Sequence, residues 1–439
     1  MRQQVSERTG FLFEGSLDEI DPATARITAF EEARQVAKLI MIASESAAPP
    51  AVREALATVF TDLYAEGYPA ARMSRESEDV LADVPYQLGY HERYSDRRYY
   101  KGTEFADIVE ALAQDRVRAL FAPNRYQSNK SSIGPDQIQA NVQPLSGANA
   151  NTAVYFGLLQ PGDTIMGLNL AHGGHLSHGS PVNISGKLFK VISYGVNPST
   201  GRIDYDEAER LALEHKPRMI VAGASAYPWF IDFTRLRSIC DALPRKAYLL
   251  ADVSHPAGLI AAGLFPNPVG IADVTTFTTH KTLIGPRAAI ILTTSETLAR
   301  RIDRAVFPGL QGGPHINTIA ALAVAFKIAQ TPEFNELQAT IVKNAVALAD
   351  ALAGRGLTLG YGGTESHLLM IDLRTVKTAS GVPLNGDVAA RILDLAGIVC
   401  NKNTIAGDVS ATHPSGIRLG TPWISQRGLT PSDMPTLGG

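Results

Sequence analysis

Cysteine is nearly absent from this sequence of 439 residues, where Cys240 and Cys400 are the only two and lie far apart, without histidine or cysteine at metal-ligand spacing. A disulfide framework and a structural zinc site are thereby disfavoured, and a reducing, cytoplasmic compartment is expected. Long hydrophobic runs are missing too. No stretch approaches the 18 or more apolar residues of a membrane span, and the start, Met1 to Glu7, has no apolar signal-peptide core. Neither sign of charge is in excess, with 40 Lys plus Arg against 43 Asp plus Glu and a net charge of −3. That balance leaves no electrostatic footprint for nucleic acid or an anionic membrane, and it points to a small-molecule partner. No Gly-x-Gly-x-x-Gly occurs, and Ser185-Gly186-Lys187-Leu188 lacks both the upstream glycine and the hydroxyl residue of a phosphate-binding loop. ATP and NAD chemistry lose support accordingly.

What remains is the composition of a globular α/β protein, 45% hydrophobic and 19% charged. The length suits one large α/β domain and a smaller partner. Residues 163–168, 218–223, 247–252 and 288–292 are short apolar runs separated by amphipathic stretches, the rhythm of βαβ units and of a mostly parallel sheet buried on both faces. Residues 30–66 and 318–353 read as helical. His367 to Asp372 reads as a strand of a smaller C-terminal α+β unit. The expected division is an N-terminal helical arm over 1–50, a large domain over 51–330 and a small domain over 331–439. Residues 70–96, rich in charges of both signs, and the polar stretch 124–139 read as surface insertions.

Chemistry concentrates where the predicted strands end, which is where open α/β sheets bind ligands. Lys281, in Thr278-Thr279-His280-Lys281-Thr282, follows an apolar run. Burial there would lower its amine pKa and make it a nucleophile toward carbonyls, although a lysine at a strand end is commonly a solvated rim residue. Asp252 ends another run and could face a protonated pyridine nitrogen, or simply cap the next helix. With a Schiff-base lysine it would complete the pair that pyridoxal phosphate requires. Ser146-Gly147-Ala148-Asn149 opens a helical run and offers free backbone N–H groups to a phosphate, or an ordinary N-cap. His172, His175 and His178 recur every third residue, but intervening glycines and the lack of a nearby carboxylate disfavour a metal, and one imidazole stacked on an aromatic cofactor fits better. Arg418, in Ser415-Gly416-Ile417-Arg418-Leu419-Gly420-Thr421, could bind an amino-acid carboxylate bidentately or form a structural ion pair.

With these residues stand longer stretches, among them Ile42-Ala43-Ser44-Glu45-Ser46, Tyr64-Ala65-Glu66-Gly67-Tyr68-Pro69, Asn141-Val142-Gln143-Pro144, His172 to Gly179 and Asn401-Lys402-Asn403-Thr404. Together they make the chain closely resemble the serine hydroxymethyltransferases, from about Ile42 to Gly428. The resemblance implies the aminotransferase-like fold of type I, pyridoxal phosphate as cofactor and tetrahydrofolate as co-substrate in the interconversion of serine and glycine. It assigns the Schiff base to Lys281, the pyridine nitrogen to Asp252 and ring stacking to His175. Ser225 and His255 would serve the cofactor's hydroxyl side, and Ser146, Gly147 and His280 its phosphate. Arg418 and Ser44 would hold the substrate carboxylate, and Glu66 would act as acid–base group. Tyr64, Tyr99, Tyr100 and Gly313 would reach the site of a second subunit, which implies a homodimer or a tetramer built from it. Leu170, Gly174, Leu176 and Asn403 match folate-contacting positions.

The chain departs from the family pattern in several places. Twenty-seven residues, Ala70 to Asp96, separate Pro69 from Arg97, where about two are usual. Lys101 replaces a glycine, Pro256 an aliphatic residue and Ser410-Ala411-Thr412 a folate-contacting segment. The chain also stops at Gly439 before the family's last helical segment, which suggests a shortened or truncated small domain. These departures keep open an aldolase or transaldolase acting on threonine or another β-hydroxy amino acid, or an α-methylserine hydroxymethyltransferase.

Overall fold

The computed structural model describes residues 14–94, 97–125, 132–379, 381–408 and 414–438. In chain order the strands are β1 (Leu39–Ile40), β2 (Gln139–Asn141), β3 (Thr164–Leu168), β4 (Lys190–Tyr194), β5 (Met219–Gly223), β6 (Tyr248–Asp252) and β7 (Val274–Thr278). They are followed by β8 (Ala289–Thr293), β9 (Thr358–Leu359), β10 (Leu368–Asp372), β11 (Ile398–Val399), β12 (Asn401–Asn403) and β13 (Gly416–Gly420). Seven strands form one sheet in the order β2-β8-β7-β6-β5-β3-β4, in which only β8 runs against the rest. The expected mostly parallel α/β architecture is therefore present.

Every residue of β5, β7 and β8 is buried, because helices cover both faces of a parallel sheet and leave no solvated side. The helices Glu104–Phe121 and Ile316–Ile328 cover one face. There Phe121 stacks on Phe277 of β7 with centroids 4.3 Å apart. The helix Gly147–Leu158 supplies Ala150, Ala153, Val154 and Leu158 to a second apolar cluster, with Val221, Leu250 and Ile291. A four-stranded sheet, β12-β13-β10-β9, has its own core of Leu369, Ile371, Ile417 and Leu419 packed against the helix Pro332–Gly354.

The reading of 30–66 as helical is corrected. The helix Pro22–Ala37 ends early, β1 pairs in parallel with β11 far along the chain, and the next helix runs only from Pro50 to Leu56. Pro49 and Pro50 exclude a continuous helix, since a residue before proline avoids the α region. The 70–96 insertion is also more than surface loop. Its described part contains the helices Glu78–Ala82 and Val84–His91, and it buries Met73 and Leu81 against Ala111. Gln87 is buried as well, donating to Glu76 Oε2 (2.7 Å) and Val80 O (2.9 Å). Part of the 124–139 stretch lies outside the described residues, as do Ser410, Ala411 and Thr412.

The Phe121–Phe277 contact joins helix to sheet with no exposed atoms to relax into. Phe277→Ala is expected to cost about 3–5 kcal/mol and Phe277→Leu less than half as much, to be read from urea unfolding of the two variants.

Candidate active site

The sheet register brings the site together. Gly223 at the end of β5 lies opposite Asp252 at the end of β6, and Asp252 lies opposite Thr276 of β7. A Cβ at Gly223 would stand 2.4 Å from Asp252 O, so no other residue lets these strand ends approach so closely. Beyond β7 the chain turns through His280 and Lys281. The turn is tied by Thr279 N donating to Ala288 O at 3.2 Å and Gly285 N donating to Thr279 O at 2.7 Å. The result is a largely polar cavity of about 190 Å³. Of the sequence-predicted residues it brings together Gly147, His175, Ser225, Asp252, His255, His280 and Lys281, with Ala148, His178, Ser254 and Thr278 alongside.

Asp252 is buried, and four donors hold its carboxylate. Asn151 Nδ2 (2.8 Å) and His178 Nε2 (2.9 Å) reach Oδ2, while Ser254 Oγ (2.6 Å) and Ser254 N (3.1 Å) reach Oδ1. Burial alone would raise its pKa. The hydrogen bonds from His178 and Ser254 outweigh that and keep the carboxyl well below its ordinary range. Thr276 Oγ1 donates to Asn151 Oδ1 at 2.7 Å, so the helix-borne amide is itself oriented. His175 Nδ1 bonds Ser177 Oγ at 2.7 Å. Burial and the neighbouring His178 lower His175 to about 4, so it is a neutral ring.

Lys281 shares the cavity. Its burial pulls the amine down to about 8, against the opposing pull of Asp252 and with help from the cations Arg418 and Arg287. Arg418 comes from β13 of the four-stranded sheet. Its Nη1 donates to Ser225 O at 2.5 Å and its Nε to Asn401 Oδ1 at 3.1 Å, while burial lowers its pKa to about 10. Ser44 lies next to Ala43, which packs on Gly420 of the same strand, where Gly420 N donates to Met41 O at 2.8 Å. His255 and His280 are also held neutral, chiefly by burial. Gly147 starts its helix so close to the sheet that a Cβ would meet Thr278 Cγ2 at 2.7 Å. The N-cap residue Ser146 turns its Oγ to Asn149 Oδ1 at 2.6 Å.

A second group stands outside this cavity. Glu66 lies 3.4 Å from the Tyr64 hydroxyl, Tyr64 meets Tyr100 edge-on at 5.0 Å, and Gly312 and Gly313 back onto Glu66 and Tyr64. Tyr64, Tyr99 and Tyr100 are exposed. Leu170 and Leu176 are exposed on the two short turns flanking Gly174, and Asn403 ends β12 beside β13.

The sequence reading gave no role to Asn151, Ser177, Ser254 and His367, and it weighed His178 only within the histidine run. It is also corrected on the histidine run. His172 turns away to accept from Val196 N at 3.1 Å, but a carboxylate does reach the run. His175, His178 and Asp252 hold ligand-type atoms within 4.8 Å of one another. Asp252 is 74 residues from His178, so spacing along the chain could not reveal it. The hydrogen bonds of His178 and Asn151 already account for the Asp252 oxygen they share.

A family model described as serine hydroxymethyltransferase matches residues 17–83 and 73–439. The serine hydroxymethyltransferase of Acinetobacter baylyi is 46% identical over 424 residues, which cover 96% of this chain and 90% of that protein. The two matched segments overlap over residues 73–83, within the 70–96 insertion, and the second spans every strand end that builds the cavity. By its sheet, by the buried lysine and carboxylate at its strand ends and by these matches, the chain belongs to the serine hydroxymethyltransferase family.

Proposed function

We propose that the chain carries out the family's reaction, the reversible transfer of the serine hydroxymethyl carbon to tetrahydrofolate, which yields glycine and 5,10-methylenetetrahydrofolate. The observation that carries this reading is a buried lysine amine and a buried, charged carboxylate facing one polar cavity. The residues present suit pyridoxal phosphate. Asp252 stays ionised and can stabilise a ring N–H, and the neutral His175 offers a flat face. The N-cap residue Ser146 makes no side-chain bond to the first turn of the 12-residue helix that Gly147 begins, which leaves backbone N–H groups open where an anion is stabilised. Pyridoxal phosphate, when bound, supplies the sink for the electron pair of the bond broken at the substrate's α-carbon.

The protein's own groups supply the rest. Near neutral pH a lysine with a pKa of about 8 keeps a useful fraction of neutral, nucleophilic amine. Arg418 presents a planar fork to an amino-acid carboxylate from a desolvated position, where a charge-assisted pair is strong. Glu66 serves as the group that takes and returns the substrate hydroxyl proton. Because Tyr64, Glu66, Tyr100 and Gly313 cluster away from the Lys281 cavity, they complete the site of a second copy, and the working unit is a homodimer. Leu170, Gly174, Leu176 and Asn403 form the folate side. The two sheets are the centres of a large and a small domain, with the boundary near residue 331. No described residue of the insertion lines the cavity. Among the described residues no helix is long and apolar enough to cross a membrane.

Tetrahydrofolate-dependent conversion of serine to glycine is expected, with loss in Lys281→Ala. Turnover of threonine or α-methylserine above that of serine in the same assay would refute this substrate assignment. Mixing inactive Lys281→Ala with inactive Glu66→Gln should restore about a quarter of wild-type activity, since random re-pairing gives hybrids with one intact site. No recovery would mean that each chain holds a complete site. The buried amine also has a stability signature. Its folded pKa, about 8, lies below the unfolded value near 10.5, so the unfolded chain binds more protons between these pH values and the cofactor-free fold gains stability as pH rises through them. Replacing the amine in Lys281→Met should therefore stabilise the cofactor-free protein at pH 7 by about 3 kcal/mol, with the difference from wild type vanishing toward pH 10.5 in urea unfolding.

A further inference from the structure

His367 lies immediately before β10 of the four-stranded sheet, yet its ring reaches His255, which follows the end of β6 in the seven-stranded sheet. The two imidazoles are stacked with centroids 5.3 Å apart and planes 22° from parallel. His255 Nδ1 is 3.1 Å from His367 Nε2. Both rings are buried, at 5% and 1% exposure. Burial, reinforced by the cations of Lys281 and Arg418, holds both neutral, with His367 down to about 3.

A hydrogen bond between two neutral imidazoles uses one proton, so placing it fixes the state of all four ring nitrogens. His255 borders the Lys281 cavity, whereas His367 Nδ1 is buried without a hydrogen-bond partner among the described residues. One arrangement puts an N–H on His367 Nδ1 and strands a donor in the interior. The other leaves only a lone pair there and moves the N–H to His255 Nε2, beside a polar cavity that can receive it. Unpaired interior N–H groups are the rarer outcome, because they forfeit the full desolvation cost.

We infer that His367 is a positioning residue: it donates its Nε2–H to His255 Nδ1 and so fixes the tautomer in which His255 turns an N–H into the cofactor cavity. The donor suits an anionic ring oxygen, which is the chemical group on the hydroxyl side of pyridoxal phosphate. A second contact crosses the same seam from the same sheet, since Arg418 Nη1 donates to Ser225 O. Both crossings end on the two residues read as serving that side of the cofactor. The four-stranded sheet thus sets the donors of the cavity as well as supplying the carboxylate-binding Arg418. The inference rests on the reading of the cavity as a pyridoxal phosphate site.

Nitrogen-15 NMR of the histidine rings in the cofactor-free protein tests the tautomer, with His255→Gln identifying the His255 signals. The expected spectrum has a protonated Nε2 and a bare Nδ1. His367→Phe keeps a stacked ring and removes the bond, and it should move those signals toward a mixture of tautomers. The same change should raise the Kd for pyridoxal phosphate about tenfold, while the amide donor of His367→Gln should recover most of that loss. In a His255→Ala background, His367→Phe should change the Kd less than twofold, because the effect runs through His255. A proton on His255 Nδ1, an undisturbed tautomer in folded His367→Phe, or an equal loss in His367→Gln would overturn the inference. Wild-type protein that binds no pyridoxal phosphate would instead overturn the reading of the cavity, an outcome separable from these because the NMR measurement is made without cofactor.

Discussion

A charged carboxylate in the protein interior is the constraint around which the end of the large sheet is built. Removing such a group from water costs several kcal/mol unless its oxygens are occupied by donors. Asp252 therefore recruits residues from three separate parts of the chain: Asn151 from a helix, His178 from a turn and Ser254 from its own strand end. Two of these are oriented in turn. Thr276 holds Asn151, and the Ser254 hydroxyl also accepts from Thr278 N at 3.2 Å. The carboxylate cannot shift without breaking several bonds at once, which is what a fixed counter-charge for a ring cation requires. Lys281, a few residues beyond β7, is then placed opposite a charge that does not move. Its depressed pKa is a balance in which burial outweighs the attraction of Asp252.

The same constraint explains why the site needs a second sheet. Open backbone N–H groups at a helix start and a lysine can hold an anion and a ring, but a substrate carboxylate calls for a cation that is itself desolvated. Arg418, the cation proposed for that carboxylate, lies in the middle of β13, opposite Met370 of β10 and Asn401 of β12. A residue at that place in a buried strand cannot swing out to solvent. Its guanidinium is aimed by the sheet rather than by its own flexible stem, so the entropy of holding the long side chain is met by the fold and not at the moment of binding.

The elements legible in the sequence were those whose environment is uniform along the segment. Strands buried on both faces show as unbroken apolar runs, so β3, β5, β6, β8 and β10 lie within one residue of their expected places. Lys281 and Asp252 were legible only together and with the motifs around them, because a lysine at a strand end is commonly a solvated rim residue and an aspartate there can simply cap a helix. The hydrogen-bonded surroundings were not. Asn151 lies inside an apolar helix and bonds Asp252 across 101 residues, and His367 bonds His255 across 112. No local pattern encodes a partner at that separation. The misreading of 30–66 has the opposite origin. Local helical spacing was present, but Leu39 and Ile40 gain more from pairing with Ile398 and Val399 than from extending a solvent-exposed helix that buries none of its residues.

The insertion at 70–96 tests how far the family scaffold tolerates an added piece beside its working residues, and Arg98 shows the physical answer. Its guanidinium is buried, with Nε on Asp107 Oδ1 at 2.6 Å, Nη2 on Glu110 Oε2 at 2.8 Å and Nη1 on Ala65 O at 2.7 Å. Tyr99 N donates to Glu66 O at 2.9 Å, and Arg97 Nη1 to Pro69 O at 3.1 Å. The two ends of the insertion are thus fastened to each other and to the helix Glu104–Phe121, independently of what lies between them. Closing a longer loop across fixed ends adds only about 0.6 kcal/mol for each doubling of its length. The inserted helices offset part of that by burying Met73 and Leu81, and by the bridge from Glu78 to Arg116 at 2.8 Å. The buried group of Arg98, Asp107 and Glu110 holds because both carboxylates and the guanidinium are satisfied together, and removing Arg98 would leave two acids in the interior. Position along the chain and position in space are therefore uncoupled at this point. Tyr64 and Tyr100 pack edge-on beside Glu66, and Arg98, through Ala65 O, anchors the segment that carries them.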